Sequence, residues 1–113
     1  LVYQIKFAIV SGELSPGERM AGVRDLAADA GVNPNTMQRA LQQLEREGLV
    51  FTQRSSGRSI TEDTAAIGEA KRTLARQHIE QFMASMKKLG YTREEIIALL
   101  EGGEEEDKNG SML

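Results

Sequence analysis

Cysteine is absent, so the chain can hold neither a disulfide framework nor a thiolate metal site, and a reducing cytoplasm is the compartment it suits. Histidine occurs once, as His78, with no second ligand residue at metal spacing, which favours an exposed or interface histidine over a metal site. No apolar run approaches the roughly 18 residues that a membrane span requires, and no membrane partner is expected. Also lacking are a Gly-rich phosphate loop, paired carboxylates placed for burial and a nucleophile with a nearby base. With 113 residues, enough for one domain or a small domain with an appendage, a large catalytic cleft is not expected. The chain therefore reads as a non-enzyme without a cofactor. Its composition, 40% hydrophobic and 27% charged, is that of an ordinary globular protein. Residue 1 is Leu and a helix is already under way there, so native residues are expected to precede it.

The net charge of −3 is unevenly spread. Residues 1–61 hold seven Lys or Arg against six acids, a balance of +1, whereas 62–113 hold seven against eleven, a balance of −4. Between 33 and 61 there are four Arg and only two Glu. Local field rather than total charge steers a polyanion, so the acidic total does not exclude nucleic acid.

Along the chain, Val2, Ile5, Ala8 and Ile9 have helical spacing, with Gly12 as a stop. The stretch ELSPGERMAG reads as a loop around Ser15-Pro16-Gly17. A second helix opens after Gly22 and places Val23, Leu26, Ala27 and Ala30 on one face before Gly31 ends it. Asn33 can cap the next helix and Pro34 suits its first position. Met37, Ala40, Leu41 and Leu44 are its apolar stripe, and Gly48 closes it. Because only Gly31-Val32-Asn33 separates the two helices, they must cross steeply, with Ala27 and Ala30 at the approach. LVFTQRSSGRSIT predicts a hairpin with strands near 50–54 and 58–61. Ile67, Ala70, Leu74, Ile79, Phe82, Met83, Met86 and Leu89 form a stripe too long for one small domain to bury. In YTREEIIALLEGG, Thr92 and Glu95 form a capping box, Ile96, Ile97, Leu99 and Leu100 pack, and Gly102-Gly103 terminates. The acidic tail behind it is expected to be disordered.

Helix, sharp turn, helix and basic hairpin is the order of a winged helix-turn-helix. The run GELSPGERMAGVRDLAADAGVNPNTMQRALQQLEREGLV resembles the DNA-binding domain of the GntR family of bacterial transcriptional regulators, through SPGER, VRDLA, GVNPNT and LEREGLV at their mutual spacing. The likeness covers residues 1 to about 61. The short helical remainder resembles the YtrA-like subfamily, in which two helices serve as a dimerisation arm. The expected fold is mainly α with a small β-hairpin: a winged helix-turn-helix over 1–61, a two-helix arm over 62–101 and a tail over 102–113.

The resemblance implies DNA contacts by Arg24, Asn33, Asn35, Thr36, Gln38 and the wing tip Arg54, Ser55, Ser56 and Gly57; Arg39 and Arg58 are added for their charge and expected exposure. The residue types suit the task, since Arg grips a phosphate or guanine edge and Asn or Gln pairs with adenine. Two stretches depart from the family pattern. MAG at 20–22 stands where a Leu-Pro-Ser-like triplet is usual, and RSSGRSIT where the wing is usually Gly-rich with Thr and an aromatic.

The expected function is that of a sequence-specific regulator, a repressor, that binds an inverted-repeat operator in double-stranded DNA as a homodimer, with helix 34–47 in the major groove. Ile67, Ala70, Leu74, Ile79, Phe82, Met83, Met86, Ile96, Ile97 and Leu100 are expected to join the two copies. Arg46, between Glu45 and Glu47, reads as a solvated charge, and Lys87-Lys88 as a complement to a helix dipole. A winged helix used for protein contacts is the rival reading. For a small-molecule effector, the roughly fifty residues after the hairpin leave room for a pocket of ~300 Å³ or more only between subunits or between arm and wing.

Overall fold

The computed structural model describes residues 1–53 and 57–111, the last nine of these as backbone alone. The elements are α1 (Val2–Val10), α2 (Val23–Ala30), α3 (Pro34–Arg46), β1 (Val50–Gln53), β2 (Gly57–Ile60), α4 (Thr64–Lys88) and α5 (Arg93–Ser111). The chain divides into two compact units, Leu1–Leu74 and Ala75–Leu113.

In the first unit the boundaries from the end of α2 to the end of α3 have local causes. Gly31 takes the left-handed conformation at φ 69°, which a side chain would disfavour, and so stops α2. The chain is then extended at Asn33, whose Oδ1 accepts a hydrogen bond from the Asn35 amide at 2.7 Å, with Pro34 next in line. At the other end of α3, Gly48 has φ 77°. The Leu49 amide donates to the Leu44 carbonyl and the Gly48 amide to that of Glu45, both at 3.0 Å. These are the two bonds of a Schellman stop, and its apolar pair, Leu44 with Leu49, is buried. One turn thus ends the helix and aims the chain into β1.

The stripe read from sequence on α3 is the centre of the core: Met37, Ala40, Leu41 and Leu44 are all buried. Met37, Leu41 and Leu44 cluster with Ile9, Ala27, Leu49, Val50 and Ile60. Val2 and Ile5 of α1 and Val23 and Leu26 of α2 pack around them. Ala27 is buried as expected where α2 meets α3, but Ala30 is exposed, so the close approach rests on Ala27.

β1 and β2 pair antiparallel, with Val50 opposite Ile60 and Gln53 opposite Gly57. The stretch 17–20, expected to be a plain loop, is bound to the other edge of β2. Gly17 donates to the Ile60 carbonyl, Ile60 to that of Glu18, and Met20 to that of Arg58, at 3.0, 2.8 and 2.8 Å. An isolated bridge joins Arg19 to Ser59. The hairpin is therefore hydrogen-bonded on both sides of β2, which a free two-stranded ribbon would not be.

The first turns of α4 also belong to this unit. Asp63 caps them, its Oδ1 accepting from the Ala65 and Ala66 amides at 3.0 and 3.1 Å. Ile67 and Ala70 pack against the core, so part of the long apolar stripe is buried by its own domain after all.

In the second unit the capping box forms as read. The Thr92 amide donates to Glu95 Oε1 at 2.8 Å and the Glu95 amide to Thr92 Oγ1 at 3.2 Å. The stop anticipated at Gly102-Gly103 is a break at Gly102 (φ −125°, ψ 19°), beyond which the backbone is helical again to Ser111. Of the tail expected from residue 102, the backbone is described to Ser111, and residues 112 and 113 lie outside the described residues.

Candidate nucleic-acid interface

With Met37, Ala40, Leu41 and Leu44 facing inward, helical geometry fixes what faces outward. At 100° per residue the opposite line of α3 runs through Asn35, Arg39, Gln42 and Arg46, and all four are exposed. They span about 16 Å at 1.5 Å per residue. Thr36, also exposed, flanks this line on one side. Gln38, half-buried, lies on the other flank, two turns before Glu45. Nothing in the family resemblance points to Gln42, and Arg46 sits between Glu45 and Glu47, which makes a solvated charge the sequence expectation. The signal that finds them is the angular complement of the apolar stripe, which was itself legible.

The helix start is also suited to an anion. No acidic residue stands in the first turn of α3, so the positive end of its dipole is unopposed. Asn33 is exposed at the cap, but its oxygen is already taken by the Asn35 amide. Its amide NH₂ is free to donate, but a bidentate pairing with adenine would have to share the oxygen that caps the helix.

The two carboxylates of this region are both held by cations from other elements. Glu45 Oε1 accepts from Arg58 Nε of β2 at 2.8 Å, and Glu45 Oε2 accepts from Thr52 Oγ1 of β1 at 3.0 Å. The hydrogen bond from Arg58 is the main reason that the Glu45 pKa is lowered, against the desolvation that would raise it. Glu47 Oε1 is paired with Lys6 Nζ of α1 at 2.6 Å. Burial raises its pKa, but hydrogen bonds from Lys6 and Gln43 and the charges of Lys6 and Arg46 outweigh that and lower it. Arg46 Nη2 is steadied by a hydrogen bond to Gln43 Oε1 at 2.6 Å. Arg39 and Arg46 thus stand on the exposed line with both nearby acids ion-paired to cations of other elements.

Arg58 was assigned to DNA for its expected exposure. Its side chain is only 17% exposed and is clamped to Glu45, so it braces the wing against α3. Arg24, second residue of α2, is exposed, and Gly57 is exposed at the start of β2. Arg54, Ser55 and Ser56 lie outside the described residues. Among the described residues no group of three or more His, Cys, Asp and Glu is placed to hold a metal ion, and no helix is long and apolar enough to cross a membrane.

The residues expected to join two copies divide sharply. Ile67 and Ala70 are taken up by the core of the first unit, and Leu74 and Ile96 are buried within the chain. Leu74 and Ile96 are thus closed off, whereas Ile67 and Ala70 remain partly exposed. Ile79, Phe82, Ile97 and Leu100 are left exposed, at 60%, 43%, 43% and 72%, with Met83 and Met86 half-buried.

Comparison with known proteins agrees with this geometry. Residues 1–60 match the family model described as "Bacterial regulatory proteins, gntR family". The chain is 42% identical over 94 residues to the uncharacterized HTH-type transcriptional regulator YhcF of Bacillus subtilis, covering 83% of this chain and 78% of that protein. It is 31% identical over 115 residues to the HTH-type transcriptional repressor YtrA of the same organism, covering 95% and 88%. Among solved structures, a GntR family transcriptional regulator from Listeria monocytogenes superposes with a TM-score of 0.80 at 38% identity, covering 88% of each chain. A transcriptional regulator from Oenococcus oeni gives 0.74 at 27% identity, covering 88% of this chain and 83% of that one. A family match over more than half the chain, spanning the helix pair and the hairpin, means that this chain belongs to the gntR family of bacterial regulatory proteins, DNA-binding transcriptional regulators and not enzymes.

Proposed function

We propose that the chain is a cytoplasmic repressor that binds an inverted-repeat operator as a homodimer, with α3 in the major groove and the wing beside it. The observation that carries this reading is the line Asn35, Arg39, Gln42 and Arg46, exposed, with the flanking carboxylates Glu45 and Glu47 ion-paired to Arg58 and Lys6 of other elements. In this arrangement Asn35 and Gln42 read base edges, Arg39 reads a base edge or a phosphate, and Arg24, Thr36 and Arg46 hold the backbone. Residues 1–61 bind DNA and 62–101 form the arm, through Ile79, Phe82, Ile97 and Leu100 with Met83 and Met86. One recognition helix carries little specificity, and two-fold pairing doubles the site. Repression is the role named for the similar YtrA protein. Selection of bound sequences from random double-stranded DNA tests the proposal: enrichment of a palindrome is expected, and failure to enrich any sequence would favour a winged helix used for protein contacts.

A further inference from the structure

A groove of about 640 Å³ lies between α1, the segment 13–21 and α2, within the ~300–1,000 Å³ usual for small-molecule sites. It is contained in the first unit, not placed where the sequence suggested an effector pocket. Ile5, Leu14, Met20 and Leu26 line it. Each is half-buried, packed on the core and still partly open. Buried Met37 of α3 and half-buried Ala8 of α1 add to the apolar lining, with Leu1, Ala21 and Ala30. The polar lining is unbalanced, with the carboxylates of Glu13, Glu18 and Asp29 against the guanidinium of Arg19 and the amino group of Leu1, beside the neutral amide of Gln4. Glu18 Oε1 already accepts from the Ser15 amide at 2.9 Å. Glu13 and Asp29 are exposed, and neither is in an ion pair among the described residues.

An apolar hollow with an excess of carboxylates is complementary to a greasy cation and opposed to a greasy anion. We propose that this groove binds an amphipathic organic cation, a bulky apolar body bearing one quaternary or delocalised positive charge, and that its occupancy changes DNA affinity. The lining provides the coupling. Met37 belongs to the recognition helix, Leu26 and Ala30 to its bracing helix, and Arg19 and Met20 to the stretch bonded to β2 of the wing. A bound molecule touches all three parts whose relative placement must fit one duplex. Binding depends on the groove alone; the regulatory half rests on the function proposed above.

Tetraphenylphosphonium and tetraphenylborate share a shape and differ in sign, so calorimetric titration of the full chain with each isolates the charge. The cation is expected to bind once per chain, and the anion not to bind. The double variant Glu13→Gln, Asp29→Asn, exposed and harmless to the fold, should weaken the cation about tenfold. Ala8→Phe should occlude the hollow. Equal binding of both ions, binding of neither, or undiminished affinity in both variants would overturn the site. With the cation saturating, affinity for selected DNA should shift about fivefold or more, and an unchanged affinity would overturn the regulatory half. A chain that took the cation but bound no DNA would overturn the proposed function and the regulatory half together, with the site upheld.

Discussion

Arg24 and Glu45 separate what a residue does for DNA from what it does for the fold. Arg24 is exposed near the start of α2 and has no ion-pair partner among the described residues, so Arg24→Ala should leave thermal unfolding within about 0.5 kcal/mol of the parent. Its DNA affinity should fall about equally across sequences in a fluorescence anisotropy titration, with a reduced salt slope. Unaltered affinity would remove Arg24 from the interface. Glu45 works the other way, as an anchor for the wing. Its folded pKa is lowered from 4.5, first by the Arg58 hydrogen bond. Its contribution is therefore fully present above the unfolded value and is lost as pH falls through the lower folded one. Glu45→Gln should cost about 0.2–1 kcal/mol near neutrality, and the gap between it and the parent in urea midpoint should close as pH drops below 4.5. A gap that widened on acidification would contradict the clamp.

Elements with a self-contained chemical signal were the most legible from sequence. The Thr92–Glu95 capping box needs only four residues and appears with both bonds. Thr92→Ala removes the acceptor for the Glu95 amide and should destabilise by ~1 kcal/mol, read as an earlier loss of helical circular dichroism in urea; an unchanged curve would mean that α5 is held by packing alone. The α3 stripe was equally plain, because Met37, Ala40, Leu41 and Leu44 recur at helical spacing and all are buried. What sequence could not supply was anything set by a distant partner. Residues 17–20 run on from the Ser15-Pro16-Gly17 turn, and nothing local says that they will bond to β2. Arg58 looked like an exposed wing cation because Glu45, thirteen residues earlier, is its partner only once the hairpin folds back. Periodicity likewise showed that Ile67 and Ile79 share the stripe of α4, but not that the chain's own core consumes the first and leaves the second open.

For the whole molecule, symmetry and electrostatics can be measured in one quantity. Each neutralised phosphate contributes about −0.9 to the slope of log affinity against log salt. A contact made by one side chain of a monomer counts once, whereas in a two-fold dimer on a palindrome it counts twice. Arg46 is exposed on the line of α3 that faces away from the core, and we assign it to a phosphate. Arg46→Ala should therefore reduce the slope by about 1.8 in the dimer. Phe82, 43% exposed in the second unit, supplies the control. Phe82→Glu places a charge in the apolar contact proposed between copies and should yield a monomer by sedimentation. In that background the same Arg46→Ala substitution should change the slope for a single half-site by only about 0.9. A change of the smaller size in both backgrounds would mean that only one α3 engages the duplex. No change in either would move Arg46 off the DNA and return it to the solvated charge that its flanking acids first suggested.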